Sequence, residues 1–324
     1  MFDELAAEWD ALAEHSVVNT PFQRVAFQAT WWRHFGEGTL CVLAARTEDG
    51  VLVGLAPMFV DAGGVLRWVG GEEIADYLDI IAPSEHMTAV SAAVFAWWLG
   101  ADAPHWTRAQ LSNMPGWIDT PRMWQAQAQA AGLTAEVTQI DVCPVLTLAP
   151  TFDDYLAGID KKQRHEIRRK LRRAKELEQP VWLKVLGPED DIAAGTAEFT
   201  RLMELSGGHK AKFLTPVMRA AFADIFAATH ASGMLKLAFL MVGDEAVAAY
   251  VNFDVGGRVW VYNSGIDLTH EARSVSPGWV LLALLIEQAI NEGRTHYDFM
   301  QGNEDYKYRF GGVDTPVYRL TIER

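Results

Sequence analysis

The sequence predicts a mixed α/β (α+β) protein with two similar halves, each with a central mixed β-sheet flanked by helices. Residues 40–70 and 237–265 share one pattern: an apolar strand, an acidic turn, a second strand, a Gly-Gly turn and a third strand ending in glycine. Such turns between β-rich runs are typical of hairpins. Each run is followed by a helical segment and one more strand, at 87–99 and 109–112 in the first half and at 277–292 and 296–300 in the second. We therefore expect two copies of one fold.

The join between the halves is expected near residues 144–151. Pro144 and Pro150 bracket a short apolar run there, and Thr151 with Asp154 three positions later makes a helix start. We expect an N-terminal half over residues 1–148 and a C-terminal half over residues 149–324.

Composition restricts the classes of function. With 324 residues, half of them hydrophobic, the chain can form two ordinary cores. A net charge of -14 argues against nonspecific nucleic-acid binding by the whole surface, and no DNA partner is expected. No run of about 18 apolar residues appears and the first residues are acidic, so we expect no transmembrane segment and a cytoplasmic location. The histidines and two cysteines lack metal-ligand spacing, so we expect no metal site.

The most informative stretch covers residues 259–312. It is typical of a strand, a polar loop, a helix opening at Ser276 and Pro277, a second strand ending at Asp298, and a turn. Ser276 is suited to cap the helix, and Pro277 suits the first helical position. The positive end of this helix faces a loop with Arg273, which favours anion binding. A parallel strand pair splayed around such a helix end can hold an anion and a carbonyl, so the stretch points to acyl transfer.

The loop of residues 273–278 resembles the Q/R-x-x-G-x-G/A loop with which the GNAT acyltransferase superfamily holds the pyrophosphate of acyl-CoA. Ser276 stands where the first glycine normally sits. The phrase SPG, a buried helix and YDFMQGNEDYKYRFGG are similar to the C-terminal half of tandem-GNAT proteins. These include acetyltransferases of cellulose or polysaccharide biosynthesis (CelD/BcsL-like) and the Fem-type aminoacyl transferases. The resemblance covers most of the chain and is specific in its last third. It implies acetyl-CoA, or another acyl-CoA, as co-substrate, held by Arg273, Ser274, Ser276 and Gly278.

Three residues near the end of that stretch are candidate catalytic groups. Asp298, at a strand end, can accept a proton from an attacking amine or orient it. Tyr306 can offer its phenol to a leaving thiolate, and Lys307 can stabilise a developing oxyanion or bind phosphate. The alternative is a strand end followed by an exposed polar turn, with Lys307 paired to Glu304. The family resemblance favours the catalytic interpretation, most strongly for Lys307.

An acidic cluster at residues 72–79 follows the third strand of the first half. Asp76, Tyr77 and Asp79 lie in it, and they could bind a cationic amine acceptor in a groove between the two copies. The phrase DYLD is similar to the corresponding part of tandem-GNAT proteins. As plain structure, the cluster is an acidic loop with Tyr77 and Leu78 turned inward. Because nothing in the first half resembles the 273–278 loop, we expect a degenerate half that shapes the acceptor site.

Residues 160–175 form the strongest charge feature, with nine Lys or Arg residues against Asp160 at the start and Glu166 within the run. Ile167, Leu171 and Ala174 recur at helical spacing, so a narrow stripe can dock while basic residues surround it. The alternative is a solvated face. Repulsion between pairs such as Arg164 and Arg168 favours an anion-binding role. The candidate anions are the CoA 3′-phosphate, a tRNA acceptor stem, a nucleotide-linked acceptor and an acidic lipid surface.

These observations predict an N- or O-acyltransferase that moves an acyl group, most simply acetyl, from acyl-CoA to an amine or hydroxyl acceptor. The acceptor would be a small molecule, glycan or peptide, in polysaccharide or cell-envelope metabolism. One alternative is a peptidoglycan-type transferase that uses aminoacyl-tRNA, which the absence of a long helical pair disfavours. Another is a noncatalytic ligand-binding module with a worn donor loop.

Overall fold

The computed structural model describes residues 2–324, and the chain divides into two compact units. The first unit takes the residues up to Cys143 together with Thr315–Arg324, and the second takes Pro144–Asp314. The division falls between Cys143 and Pro144, inside a strand, a few residues before the predicted boundary at 148/149. The predicted boundary also left the C-terminal residues with the second half, whereas they group with the first unit.

The first unit alternates helices and strands. Its helices are α1 (Phe2–His15), α2 (Val25–Phe35), α3 (Ser84–Leu99) and α4 (Thr120–Ala130). Its strands are β1 (Thr39–Arg46), β2 (Leu52–Val60), β3 (Val65–Trp68), β4 (Arg108–Pro115) and the first part of β5 (Thr134–Thr147), which continues into the second unit.

The second unit begins with helices. These are α5 (Phe152–Gly158), α6 (Lys161–Lys175), α7 (Ile192–Leu205), α8 (Gly208–Phe213), α9 (Pro216–Ala231), α10 (Pro277–Asn291) and α11 (Asp305–Arg309). Its strands are β6 (Val181–Val185), β7 (Leu235–Val242), β8 (Glu245–Val255), β9 (Arg258–Ile266) and β10 (His296–Asp298). Strand β11 (Val313–Glu323) begins in the second unit and lies mostly in the first.

Both units contain the predicted meander, and the mixed α/β fold is confirmed. In the first unit β1, β2 and β3 pair antiparallel, and β4 pairs parallel to β3 and antiparallel to β11. In the second unit β7, β8 and β9 pair antiparallel, and β10 pairs parallel to β9. Strand β6 lies beside β7, and residues 145–147 of β5 pair antiparallel with β10. The two units thus share one order of pairing around a helical crossover, α3 in one and α10 in the other.

Helix α10 fills one face of the second sheet. Its sequence is apolar on nearly every side, ten of its residues are buried, and eight of these share a core with residues of β7 and β8. Helix α7 packs on β9, where a Cβ at Gly265 would lie 2.5 Å from the Met203 backbone nitrogen. Glycine is required here because the helix backbone approaches the strand closely.

Strands β9 and β10 stay together over three residue pairs only. Arg258, Val259 and Trp260 face His296, Tyr297 and Asp298, after which β10 ends. The rest of β9, through Ile266, pairs with β8 alone. The predicted strand at 296–300 is therefore too long. Met300 has a φ of 60°, a left-handed conformation that a strand does not accommodate.

Strands β9 and β10 thus leave a gap beyond their three residue pairs. In the first unit the corresponding gap, between β3 and β4, is filled by residues of the same unit. Strand β3 ends at Trp68, and residues 78–81 then occupy the position between β2 and β4. The Leu78 amide donates to the Asn113 carbonyl of β4 at 2.8 Å, and Ile81 exchanges two backbone hydrogen bonds with Leu55 of β2.

Candidate active site

Polar side chains of the second unit collect where β9 and β10 part. Ser264 lies on the part of β9 that β10 does not cover, opposite Tyr250 of β8. Lys210 of α8 reaches Ser264, and Glu304 and Lys307 interact electrostatically with Lys210. Groups from four segments therefore meet at the carboxyl ends of two parallel strands, a common position for ligand sites in α/β sheets.

Lys307 is buried beneath the loop that follows β10. Its Nζ donates to the carbonyl oxygens of Met300, Gln301 and Gly302 at 3.0, 2.6 and 3.0 Å, and lies 2.9 Å from Glu304 Oε2. An ammonium has three N–H donors, and three carbonyls face it. The Glu304 pairing considered from the sequence is present, but the turn is not simply exposed, because Lys307 is only 2% exposed.

Asp298 is fully buried at the end of β10. Its Oδ1 accepts the Met300 amide at 2.9 Å, and its Oδ2 lies 3.4 Å from Arg258 Nη1. The carboxylate thus fixes the left-handed turn that begins the loop.

Tyr306 is half-buried on α11, its ring 6.4 Å from that of Phe299. Burial raises the pKa of Tyr306 well above its usual range, and Tyr250, Glu304 and Tyr297 raise it further. The phenol therefore keeps its proton at neutral pH, so it can donate a proton but not accept one as phenolate.

The amino end of α10 differs from the predicted cap. Ser276 precedes the helix with φ 60° and ψ 70°, and its side chain caps no helical N–H group. Serine capping requires an extended backbone at this position. The Ser276 hydroxyl instead accepts a hydrogen bond from Lys170 Nζ at 2.5 Å, so the prediction of a serine cap is wrong.

The rest of the predicted pyrophosphate loop forms a short 3-10 helix, Glu271–Val275. Arg273 and Ser274 are exposed on it. Gly278 is buried, and a Cβ there would lie 2.6 Å from Ile266 Cδ1, so glycine allows α10 to approach β9.

The basic helix predicted at 160–175 is α6. Arg164 donates to the carbonyls of Leu156 and Ala157, and Arg168 lies 3.2 Å from Asp153. Both predicted anion-binding arginines therefore contact α5. Lys170 turns toward α10 instead: its Nζ lies 4.9 Å from the centre of the Trp279 ring and 3.3 Å from Glu166.

The residues predicted in the first unit lie on the segment that enters its gap. Tyr77 is buried with its ring 4.9 Å from that of Trp117, and Asp76 is half-buried. Asp79 is buried, its Oδ1 accepts the Ile80 amide, and its Oδ2 has no hydrogen-bond partner among residues 2–324. Burial raises the pKa of Asp79 to about 7, against the opposing effect of the hydrogen bond from the Ile80 amide.

Sequence reasoning missed Lys170 and Lys210. Lys170 was one of nine basic residues, and only the packing of α6 on α10 distinguishes it. Lys210 was not among the candidate residues, yet it is half-buried, and its Nζ donates to the Ser264 carbonyl and hydroxyl at 2.6 and 2.8 Å. A signal was present in the two glycines before it, which mark a special backbone turn.

The described residues also bear on metal binding and on membrane-spanning helices. Residues 2–324 contain no group of three or more His, Cys, Asp or Glu side chains placed to hold a metal ion. Over the same residues, no helix has both the length and the apolar character needed to cross a membrane.

Residues 161–308 match the family model described as an acetyltransferase (GNAT) domain. The second unit is therefore similar to that family over most of its length. Comparison with curated protein sequences gives no match.

Solved structures show the same fold over nearly the whole chain. FemX superposes with a TM-score of 0.69 at 12% identity, over 97% of this chain and 95% of FemX. The C-terminal domain of a putative lysylphosphatidylglycerol synthetase from Agrobacterium fabrum gives 0.61 at 11% identity, over 100% of this chain and 92% of that domain. A tandem GNAT protein from the clavulanic acid biosynthesis pathway gives 0.51 at 13% identity, over 98% and 94%. These structures establish the fold, while the CelD/BcsL-like assignment stays a prediction.

Proposed function

We propose that the second unit transfers an acyl group from an acyl-CoA to an amine or hydroxyl acceptor by direct attack on the thioester. The observation that carries the proposal is the parting of β9 and β10 after three residue pairs, with Ser264, Lys210, Glu304 and Lys307 collected at the opening. An acyl carbonyl placed there would meet hydrogen-bond donors, and acceptor and thioester would be held together.

The donor would lie along the loop that leads into α10. Arg273 and Ser274 are exposed there and free to meet phosphate oxygens, and Gly278 lets the helix end approach β9. Lys170 adds a positive charge next to Ser276. In this proposal the pyrophosphate of acetyl-CoA breaks the hydrogen bond between Lys170 and Ser276. Its oxygens then accept hydrogen bonds from both side chains.

The residues proposed for catalysis have separate roles. Tyr306 stays protonated, so its phenol would donate a hydrogen bond to the leaving thiolate. Asp298 would act through the shape of the loop, since its carboxylate holds the Met300 amide. Lys307 can stabilise an oxyanion only if one N–H group leaves a loop carbonyl when substrate binds. Of the acidic-cluster residues predicted from the sequence, Asp76 is half-buried, whereas Tyr77 and Asp79 are buried.

A second candidate function is transfer of an aminoacyl group from tRNA. The outer face of α6 favours it, because that face exposes a row of positive charges that could meet phosphates: Lys161, Lys162, Arg172, Arg173 and Lys175. The fold shared with FemX is compatible with this candidate.

Calorimetry with acetyl-CoA and free CoA tests the proposal. We expect micromolar binding by the wild type and about tenfold weaker binding by Arg273→Ala, because a charge-assisted hydrogen bond contributes about 1.5–3 kcal/mol. Arg122→Ala, an exposed arginine of α4, is the matched control and should bind like the wild type. No detectable binding of either acetyl-CoA or CoA would overturn the acyl-CoA proposal. Binding of aminoacyl-tRNA would then support the second candidate, and its absence would leave a noncatalytic binding module.

A further inference from the structure

We propose that Lys210 is the proton-transfer residue of this site: its amine accepts the proton that the acceptor loses and returns it to the leaving group. This inference rests on the proposed acyl transfer. It adds to the proposed site a residue that lies outside both the 273–278 loop and the 298–307 segment.

The position of Lys210 is set by the short helix α8 and by the glycine turn that precedes it. Gly207 and Gly208 have φ of 70° and 57°, and a Cβ at either would contact nothing within 4 Å. These glycines serve the turn rather than packing. The turn directs α8 toward β9, where Lys210 Nζ donates to the Ser264 carbonyl at 2.6 Å and to the Ser264 hydroxyl at 2.8 Å. The amine is thus held at the part of β9 that β10 leaves uncovered.

The surroundings allow this amine to lose its proton near neutral pH. Burial lowers the pKa of Lys210 to about 8, with the Glu304 carboxylate opposing this shift and the Lys307 ammonium contributing to it. A general base works best when its pKa lies near the working pH, because both protonation states are then populated.

The other titratable groups facing this point are less suited to the role. Burial raises the pKa of Tyr250 on β8 and of Tyr306 on α11, so both keep their protons. Lys307 directs its donors to three loop carbonyls, and Glu304 is paired with Lys307. Lys210 is therefore the group of this cluster that can both take and give a proton.

The proposed step balances as follows. Neutral Lys210 accepts a proton from the acceptor nitrogen or oxygen while that atom forms a bond to the acyl carbon. The tetrahedral intermediate collapses, the carbon–sulfur bond breaks, and the departing thiolate takes the proton from the Lys210 ammonium. Acylated acceptor and free CoA thiol result, and Lys210 returns to its starting state.

Three variants separate proton transfer from a purely structural contact. Lys210→Arg keeps the positive charge and the N–H donors to Ser264 but cannot lose a proton at accessible pH. Lys210→Met has neither the charge nor the donors. Lys212→Arg, an exposed lysine of the same helix, is the matched control. The assay follows thiol release from acetyl-CoA with ethanolamine, which offers both an amine and a hydroxyl, between pH 6 and pH 10.

We expect kcat/KM of the wild type and Lys212→Arg to rise with pH through a midpoint near the Lys210 pKa of about 8. Both Lys210 variants should lose about 10²-fold or more in rate, together with that rising limb. A Lys210→Arg enzyme with the wild-type rate and profile would overturn the inference, because the contact with Ser264 would then be structural. Trace labelling with acetic anhydride gives a second readout: Lys210 should label with a midpoint near that pH, and a profile equal to that of Lys212 would contradict it.

Failure of the underlying function would look different. A wild type that does not bind acetyl-CoA in calorimetry contradicts the proposed acyl transfer and this role of Lys210 with it. A wild type that binds and turns over acetyl-CoA while Lys210→Arg behaves identically contradicts the role of Lys210 alone.

Discussion

The crossover from β3 through α3 to β4 and the crossover from β9 through α10 to β10 have the same pairing pattern but different contents. In the first unit, residues 78–81 hydrogen-bond to both neighbouring strands and fill the gap. In the second, the end of β9 stays on β8, and ionisable side chains gather at the opening. The comparison teaches that the same crossover can end in a gap filled by its own chain or in an opening lined by ionisable side chains.

Each unit also holds its loop by one side chain that donates to backbone carbonyls. In the first unit the Asn113 amide donates to the carbonyls of Glu72 and Ala75. In the second the Lys307 ammonium does so for residues 300–302. The Asn113 amide is neutral and lies at the filled gap, whereas the Lys307 ammonium places a positive charge at the opening.

The largest expected effect concerns the filled gap. In the folded first unit Asp79 keeps its proton up to a pKa of about 7, while in the unfolded chain it loses the proton near the ordinary aspartate pKa of 3.8. The stability from this group is therefore complete below about pH 4, falls as pH rises toward 7 and stays low above it. At about 1.4 kcal/mol per pKa unit, the loss is of order 4 kcal/mol. Asp79→Asn should abolish this slope and stabilise the unit at pH 8.

Hydrogen exchange of the 71–81 segment across pH measures this effect. Glu73→Gln, an exposed acidic residue of the same segment, is the control and should keep the wild-type slope. Equal slopes in wild type and Asp79→Asn would show that the carboxyl does not control the filled gap.

The next effect concerns the open site. Lys307→Met should leave three carbonyls without their shared donor and lower the local free energy of unfolding by about 3 kcal/mol. Hydrogen exchange of a peptide covering residues 299–310 is the measurement, with the exposed Lys212→Met as control. Thiol release from acetyl-CoA should fall as well. Unchanged protection would mean that the loop holds its shape without the ammonium.

Asn113→Ala tests the equivalent device of the first unit. The variant loses two side-chain hydrogen bonds and places alanine at a φ of 62°, so we expect a local loss of about 2 kcal/mol. Exchange in the 71–81 segment should accelerate, while thiol release persists because the proposed site lies in the second unit. Asn303→Ala, an exposed asparagine, should leave this exchange unchanged. Loss of thiol release in Asn113→Ala would link the filled gap to the reaction.

The smallest effect concerns Ser276. Ser276→Gly relieves a left-handed serine but removes the acceptor of Lys170, so stability should change by no more than about 1 kcal/mol. Since the variant restores the glycine of the resembled loop, calorimetry should show acetyl-CoA binding about threefold tighter. Weaker binding would indicate that the Ser276 hydroxyl contacts the donor.

Local signals made the meanders, α6 and α10 predictable. Gly-Gly turns and period-two apolar runs specify hairpins, and Pro277 marks the start of α10. The cap at Ser276 was not predictable, because its φ depends on the 3-10 helix before it and on Lys170 from α6. The contacts of Lys307 and Lys210 also depend on tertiary packing. The motif indicated candidate residues for the site, while their hydrogen-bond partners could come only from the structure.

The path of the chain has a consequence for biosynthesis. The first unit is assembled from two pieces, because Thr315–Arg324 supplies the strand that pairs with β4. While the ribosome is still translating the second unit, β4 has an unpaired edge, and such edges are prone to aggregate. The unit that emerges first is thus completed last, and its late closing strand would be the natural place for a chaperone to act.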